Sequence, residues 1–526
     1  MPGQLGQLVR LGLGLPGFLR EPVTAAGAAE QLRRLLAARE ARFLDVARRL
    51  IYGHPGSPYR ALLRWAGCAY ADLEAGVRRD GIETTLRRLR AAGVYVRLAE
   101  FKGRAAIARP GLALQVRAAD FDNPQVGGRG VEGTTSGGRG APTRIAYDWE
   151  LMREHAATEF VLNHVHGVER SPLVLWLPTP PSIAGIHYLL LSTKARRPPV
   201  RWFSQVGTAI DPLLSRTRLG LEFVLAGCRL LGHRVPRPEP TGPQDAARVA
   251  DFLAAAKAAH GACLLRTYAS SAVRAARAAV ERGHDLRGCV MLTGGEPLTG
   301  RRRAAIEKSG ATACSRYSAT ETGLIAGACG EPRSADDMHL YMERLALVSA
   351  PLASRPGGPA LDVFLFTTLC PHMGKILFNT DIGDFGVVEE RACGCDFGKL
   401  GMTVHLREVR SYDKLSTEGM SLLAVELHEV IAALVEAAGG GPDDYQFWES
   451  EDEAGLPRLV IAVSPRVPGL DETSFRGAML AGIGRVLKGG DLAARIWRDA
   501  GSLEVVRADP VLLREKHLPL VRDPRR

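Results

Sequence analysis

Lysine is nearly absent from this chain of 526 residues, nine against fifty-nine arginines, so each remaining lysine can be inspected on its own. No apolar run reaches the roughly 18–20 residues of a membrane span. The longest, over residues 219–231, is broken by Glu222 and Arg229, and a membrane partner is therefore not expected. The N-terminus has Arg10 and Arg20 but no apolar core of signal-peptide length. Export is not expected, and a cytoplasmic location is. Nine cysteines, spread from Cys68 to Cys395, are an odd number for a disulfide framework and suit a reducing compartment. Aromatic residues make up 6% and do not interleave with the basic ones, so nothing here reads as a nucleic-acid module.

What is present is enough to fold. With 46% hydrophobic and 24% charged residues the chain can bury a large core, and its length calls for more than one domain. The formal charge of +11 is unevenly placed. Residues 410–526 carry 15 basic and 19 acidic side chains, a balance of −4, which leaves +15 on residues 1–409. An anionic ligand or partner is expected against the first four-fifths of the chain.

Hydrophobic spacing predicts an amphipathic helix over 30–50 and shorter helical pieces over 60–100. Beyond 110, Gly-rich turns separate short apolar runs at 173–177, 263–265, 289–292 and 361–366 from helical patterns at 150–166, 245–259 and 271–282. Strands alternating with helices predict an α/β fold with largely parallel sheets flanked by helices. Residues 234–244 read as a Pro-rich surface connection. The tail carries its own helix–strand–helix–strand pattern and is expected to form a small α+β domain. The expected division is 1–110, a helical part of the large domain; 111–409, the body of that domain; and 410–526, the small one.

Three segments carry chemistry. In Gly133-Thr134-Thr135-Ser136-Gly137-Gly138-Arg139-Gly140, three hydroxyl residues precede closely spaced glycines. Such a loop can turn successive N–H groups onto a phosphate chain. No Lys-Ser/Thr follows, so it is not a P-loop, and read alone such a segment is more often a plain loop. Tyr317-Ser318-Ala319-Thr320-Glu321 lies about twenty residues after Gly294-Gly295-Glu296-Pro297. It offers an aromatic face, a hydroxyl and a carboxylate suited to Mg²⁺; read alone, Tyr317 is a core residue and Glu321 a surface acid. Gly383-Asp384 sets a carboxylate in a tight turn, where it can accept from ribose hydroxyls or serve a simple β-turn.

In this order and spacing the segments resemble the adenylate-forming superfamily of acyl-CoA synthetases, adenylation domains and luciferases, in its phenylacetate–CoA ligase-like branch. Thr135–Pro142, Tyr317–Glu321 and Gly383-Asp384 match three of its motifs, and Arg410-Ser411-Tyr412-Asp413 with Gly419 matches its hinge. The resemblance covers roughly 130–526. It departs at Gly138-Arg139, Ser318 and Val409.

The resemblance implies ATP-dependent activation of an aryl or acyl carboxylic acid to an acyl-adenylate, then thioester formation with coenzyme A. Two alternatives stand beside it: delivery of the acyl group to a carrier-protein thiol or an amine, and a non-catalytic nucleotide-binding scaffold. By carry-over, Glu321 holds Mg²⁺ and Thr320 touches the α-phosphate. The loop from Thr134 to Gly140 holds the departing phosphates. Tyr317, Ser318 and Ala319 with Gly295, Glu296 and Pro297 enclose adenine. Asp384 binds ribose, Arg410 contacts the nucleotide near the hinge, Asp413 is the pivot, and Lys516 is the catalytic lysine of a rotating small domain.

Cys393-Gly394-Cys395, with Cys329 and His339 upstream, has the ligand types of a closed structural Cys₃His zinc site; reduced thiols are the alternative, and Cys370-His372 competes as a supplier. His187 reads as a hydrogen-bonded core histidine or an acyl-pocket group. Arg301-Arg302-Arg303 reads as the exposed start of a helix. Nothing in the sequence pairs His54, His164 or His166 with a nucleophile.

Overall fold

The computed structural model describes residues 13–126, 130–134, 144–180, 182–205, 212–353, 360–412, 414–417, 420–441, 443–453, 455–486, 494, 497–513, 516–517 and 520–522. Two hairpins come first: β1 (Ile107–Arg109) with β2 (Leu112–Leu114), and β3 (Gly130–Thr134) with β4 (Arg144–Asp148).

Six strands then form a parallel half-sheet: β5 (Leu173–Trp176), β6 (Arg201–Ser204), β7 (Pro238–Pro240), β8 (Cys263–Tyr268), β9 (Cys289–Gly294) and β10 (Thr312–Ala319). Successive strands are joined by helices Ala184–Lys194, Pro212–Leu230, Ala246–His260, Ala269–Glu281 and Gly300–Glu307. Strands buried on both faces are expected to be continuous apolar runs, and every residue of β5 and β9 is buried. The Pro-rich connection hides β7, which the sequence did not suggest. A strand written Pro-Glu-Pro survives because β7 is the outermost strand, where a missing donor costs least.

Past β10 the sheet turns antiparallel through β11 (Gly323–Ala328), β12 (Met338–Leu340), β13 (Leu345–Ala353), β14 (Ala360–Thr368), β15 (Thr380–Glu390) and β16 (Val404–Ser411), making twelve strands in the order β13-β14-β15-β16-β12-β11-β10-β9-β8-β5-β6-β7. The N-terminal helices share its core, with Phe18, Leu32 and Phe43 in one cluster with Leu345 and Phe378. The helix expected over 30–50 is broken into Ala25–Ala37, Arg39–Val46 and a wider π turn, Ala47–Tyr52.

A second core lies beyond residue 412. Strands β19 (Tyr445–Glu451), β20 (Pro457–Val463), β21 (Leu503–Arg507) and β24 (Leu520–Arg522) pack on helices Ala424–Ala437 and Glu472–Val486 through Ile431, Phe447, Ile461, Met479 and Trp497. Short pairs β17 (Lys414–Thr417) with β18 (Met420–Leu423), and β22 (Leu512–Leu513) with β23 (Lys516–His517), complete it. No helix among the described residues is long and apolar enough to cross a membrane.

Candidate active site

Parallel sheets gather ligand-binding loops at the C-terminal ends of their strands; the Gly294–Pro297 and Tyr317–Glu321 segments lie there, at the ends of β9 and β10, and Asp384 of antiparallel β15 reaches Tyr317. β9 ends at Gly294, and Gly295 follows with φ +73°, a conformation that suits glycine. A Cβ on Gly295 would stand 3.0 Å from the ring of Tyr268, the last residue of β8. Glu296 turns inward: its carboxylate accepts from the Ser270 N–H at 2.8 Å and hydroxyl at 3.0 Å. The Glu296 carboxylate is thereby committed to holding the loop.

Arg302 secures the same loop, donating to the Pro297 carbonyl at 2.8 Å and lying 3.4 Å from Glu296. The expectation of an exposed arginine run is corrected here. Arg302 is 3% exposed, because the first turn of its helix is covered by Glu451 (3.0 Å) and the Gly455 carbonyl (3.2 Å) from the C-terminal unit.

A register shift between Tyr317 and Ser318 bends β10 just before the site. The Tyr317 hydroxyl donates to Asp384 Oδ2 at 2.5 Å, tying β10 to β15. Burial, and then the Asp384 charge, push the Tyr317 phenol well above its ordinary pKa, so it remains a donor. Three residues earlier, Asp381 accepts from the Tyr412 hydroxyl, from Gly383 N–H at 2.8 Å and from Leu98 N–H at 3.4 Å. Burial outweighs these donors and pushes its carboxyl up to about 6.

Thr320 is half-buried and Glu321 buried, in the turn between β10 and β11. Glu321 forms an ion pair with Lys102, from the segment after helix Leu98–Phe101. Sequence reasoning missed Lys102, although a signal existed: it is the sole lysine before Lys194. Beneath the turn, His155 Nδ1 and His187 Nε2 lie 3.0 Å apart, both buried, with Tyr147 against the pair. Burial, then nearby arginine charge, hold both rings neutral, His187 down to about 3. His187 is thus a hydrogen-bonded core histidine, one of its two readings.

The remaining expected residues stand as follows. Arg410 lies on β16 beside Phe385, but its guanidinium meets Asp336 at 3.4 Å and the Val409 carbonyl at 2.7 Å. Thr134 ends β3, while Thr135, Ser136, Gly137, Gly138, Arg139, Gly140 and Asp413 lie outside the described residues. Lys516 is paired with Leu513 by its backbone. His166 does meet a thiol, Cys314 Sγ at 3.4 Å from its Nδ1, but burial pushes that thiol up to about 12 and leaves it unreactive.

A second cluster forms behind the antiparallel strands. His339 Nε2 lies 3.1 Å from Cys395 Sγ and 3.3 Å from Cys393 Sγ; the two thiols are 3.4 Å apart, and Cys329 Sγ is 3.8 Å from Cys393. Four ligands at zinc–sulfur distance would have edges of about 3.8 Å, close to this spread. His339 Nδ1 donates to the Met402 carbonyl at 2.7 Å, which turns the Nε2 lone pair toward the thiols. Hydrogen bonding from Cys329 holds the Cys395 thiol well below its ordinary pKa, which favours its thiolate form. His405, which the sequence did not single out, also reaches the cluster while its Nδ1 contacts Asp337 at 2.7 Å. Cys370 is elsewhere, near Arg42 and Glu154, and is no competitor.

No protein-family model matches the chain, and no curated protein does. Solved structures do. Crystalline 2-hydroxyisobutyryl-CoA ligase with 2-HIB-AMP and CoA, in the thioesterification state, superimposes with a TM-score of 0.55 at 15% identity, over 96% of this chain and 91% of that one. The same enzyme in its postadenylation state gives 0.47 at 15%, over 93% and 90%. A lysine-to-alanine mutant of the amide bond synthetase McbA of Marinactinospora thermotolerans gives 0.41 at 16%, over 94% and 93%. The 0.55 match carries the conclusion: the chain has the fold of a CoA ligase, the fold that the motifs led us to expect.

Proposed function

We propose that this chain is an AMP-forming acid–thiol ligase of the adenylate-forming superfamily, in its phenylacetate–CoA ligase-like branch. It would join an aryl or acyl carboxylic acid to AMP and then to coenzyme A. The observation that carries this reading is the meeting of Tyr317–Asp384, Glu321 and the Gly295–Pro297 backbone at one end of the sheet, in a CoA-ligase fold.

In the first step a carboxylate oxygen attacks the α-phosphorus and pyrophosphate leaves; in the second a thiol displaces AMP. Asp384, held by Tyr317, accepts from the ribose hydroxyls. The Gly295–Pro297 backbone and Tyr317 to Ala319 line the adenine, with Arg410 near the hinge at Asp413. Thr320 donates toward the α-phosphate, and Thr134 to Gly140 wrap the departing phosphates. Lys516 bridges carboxylate and phosphate. Catalysis of this kind is positioning and charge neutralisation.

Glu321 suits Mg²⁺, since its buried carboxylate already faces a cation, the Lys102 ammonium. Mg²⁺ bound there supplies neutralisation of the phosphate oxygens. Cys329, His339, Cys393 and Cys395 would hold a structural zinc ion that ties the β11–β12 connection to the segment after β15. None of the nine cysteines forms a disulfide, in keeping with a cytoplasmic enzyme.

Acid-dependent exchange of labelled pyrophosphate into ATP, over a panel of aryl and fatty acids, tests the reading. Exchange is expected with at least one acid, falling about 100-fold or more in Lys516→Ala. No exchange with any acid would favour the scaffold reading; exchange without CoA consumption would favour a carrier-protein or amine acceptor. For the metal, elemental analysis should find zinc in the native protein and lose it in Cys393→Ser. Equal content in the two proteins sinks the site.

A further inference from the structure

A second group of charges is buried behind the reacting end of the sheet, and no step of the proposed reaction uses it. Glu159, on helix Trp149–Val165, is ion-paired with Arg266 of β8 and lies 3.3 Å from Arg316 of β10. Arg266 also donates to Asn163 Oδ1 at 2.8 Å. The two guanidinium groups flank the Tyr188 ring at 4.9 and 4.1 Å. Arg266 is 3% exposed and Arg316 7%. Arg197, just past the end of helix Ala184–Lys194, closes the group.

Three guanidinium groups here share one buried carboxylate, Glu159, and one partly exposed one, Glu169. The deficit shows in the donors. Arg266 Nη1, Arg316 Nε, and both Nε and Nη2 of Arg197 are buried without a hydrogen-bond acceptor among the described residues. Burial, then repulsion from Arg266, lower Arg197 to about 10, still charged at neutral pH. Arg197 and Arg266 line one narrow cavity with Tyr188, Ser192, Asn163 and Glu169. Leu173, at the start of β5, is in the same wall, at the end of that strand opposite the site loops.

Buried unpaired charge is costly, and unmade hydrogen bonds to charged donors add to the cost. An anion in the cavity removes both. Glu159 and Glu169 in the lining oppose a dianion, which selects a small monovalent one. We propose that the cavity between Arg197 and Arg266 is a binding site for a monovalent inorganic anion, chloride in the cell. Bound there, it joins the end of helix Ala184–Lys194 to β8 and fixes the Arg266–Tyr188–Arg316 stack one residue before Tyr317. Its role is structural, and it does not depend on the reaction proposed above.

The test uses the full native chain. At constant ionic strength, replacing gluconate by chloride or bromide should raise the thermal midpoint with saturation, while sulfate should not substitute. Arg197→Met should abolish the saturable rise. Crystals grown in bromide should show an anomalous peak between Arg197 and Arg266, a result that needs no variant. A native midpoint indifferent to chloride, a rise that Arg197→Met retains, or a cavity without bromide would each overturn the proposal.

Discussion

Asp381 sets burial against hydrogen bonding within one carboxyl group. A tyrosine hydroxyl and two backbone N–H groups favour its charged form, yet burial wins and the group sits at about 6, against 3.8 for an unperturbed carboxyl. A raised folded-state pKa means that, between these values, the folded chain holds a proton the unfolded chain has lost. The resulting stabilisation is complete below about pH 4 and is lost as pH rises through 6. Two pKa units correspond to at most about 3 kcal/mol. Denaturant midpoints at pH 4.5 and 7.5 should therefore show the native protein losing stability relative to Asp381→Asn over that interval. Parallel pH curves for the two proteins would show that Asp381 does not carry the shift. Its neighbour supplies a functional counterpart. Tyr317→Phe removes the donor that orients Asp384, at a cost of about 1.5–3 kcal/mol for a hydrogen bond to a charged group. A rise of ten-fold or more in the KM for ATP is expected from exchange kinetics.

The β10–β11 turn shows what an element demands of its sequence. Gly323 opens β11 with φ +72°, and an added Cβ would lie 2.6 Å from His155 Cε1 and 3.1 Å from Tyr147 Cε1. Gly401 has φ +93° with nothing within 4 Å. Alanine at Gly401 should therefore cost only backbone strain, about 1 kcal/mol, whereas Gly323→Ala adds overpacking and should cost about 2–4 kcal/mol. Urea midpoints of the two variants measure the difference, and equal losses would show that the His155–His187 pair yields freely. The same turn marks the limit of what could be read in advance. The buried parallel strands were legible because apolar runs such as Leu173–Trp176 and Cys289–Leu292 announce themselves. Tyr317, Glu321 and Asp384 were legible because each sits in a short local motif. Lys102 was not, since its partner Glu321 is 219 residues away, nor was His155, which reads as one more residue of an ordinary helix. Arg302 was misread because its partner Glu451 belongs to another unit of the chain, and no local pattern records such a contact.

Over the whole molecule, a basic body of +15 and an acidic tail of −4 would by net charge alone attract one another only diffusely. The structure shows a local contact instead. Glu451, at the end of β19, accepts from the Thr299 hydroxyl at 2.7 Å and pairs with Arg302 at 3.0 Å. Leu456, in the turn before β20, joins the apolar cluster of Leu298 and Ile306. A partly buried pair is screened far less than exposed charges separated by more than a Debye length, which is about 8 Å at physiological ionic strength. Docking of the C-terminal unit should accordingly persist in 0.5 M salt, where diffuse attraction would have vanished. Glu451→Gln should weaken it at any salt, by about 1–3 kcal/mol, because Glu296 still compensates Arg302 when Glu451 is neutral. Two readings of the native and variant chains separate the cases: cleavage between residues 412 and 420 by a dilute protease, and ATP affinity. Faster cleavage in the variant with unchanged affinity is expected, since the Gly295–Pro297 loop keeps its bonds from Arg302 and Ser270 to Glu296. Cleavage that rises with salt in the native chain and ignores Glu451→Gln would return the contact to net charge alone.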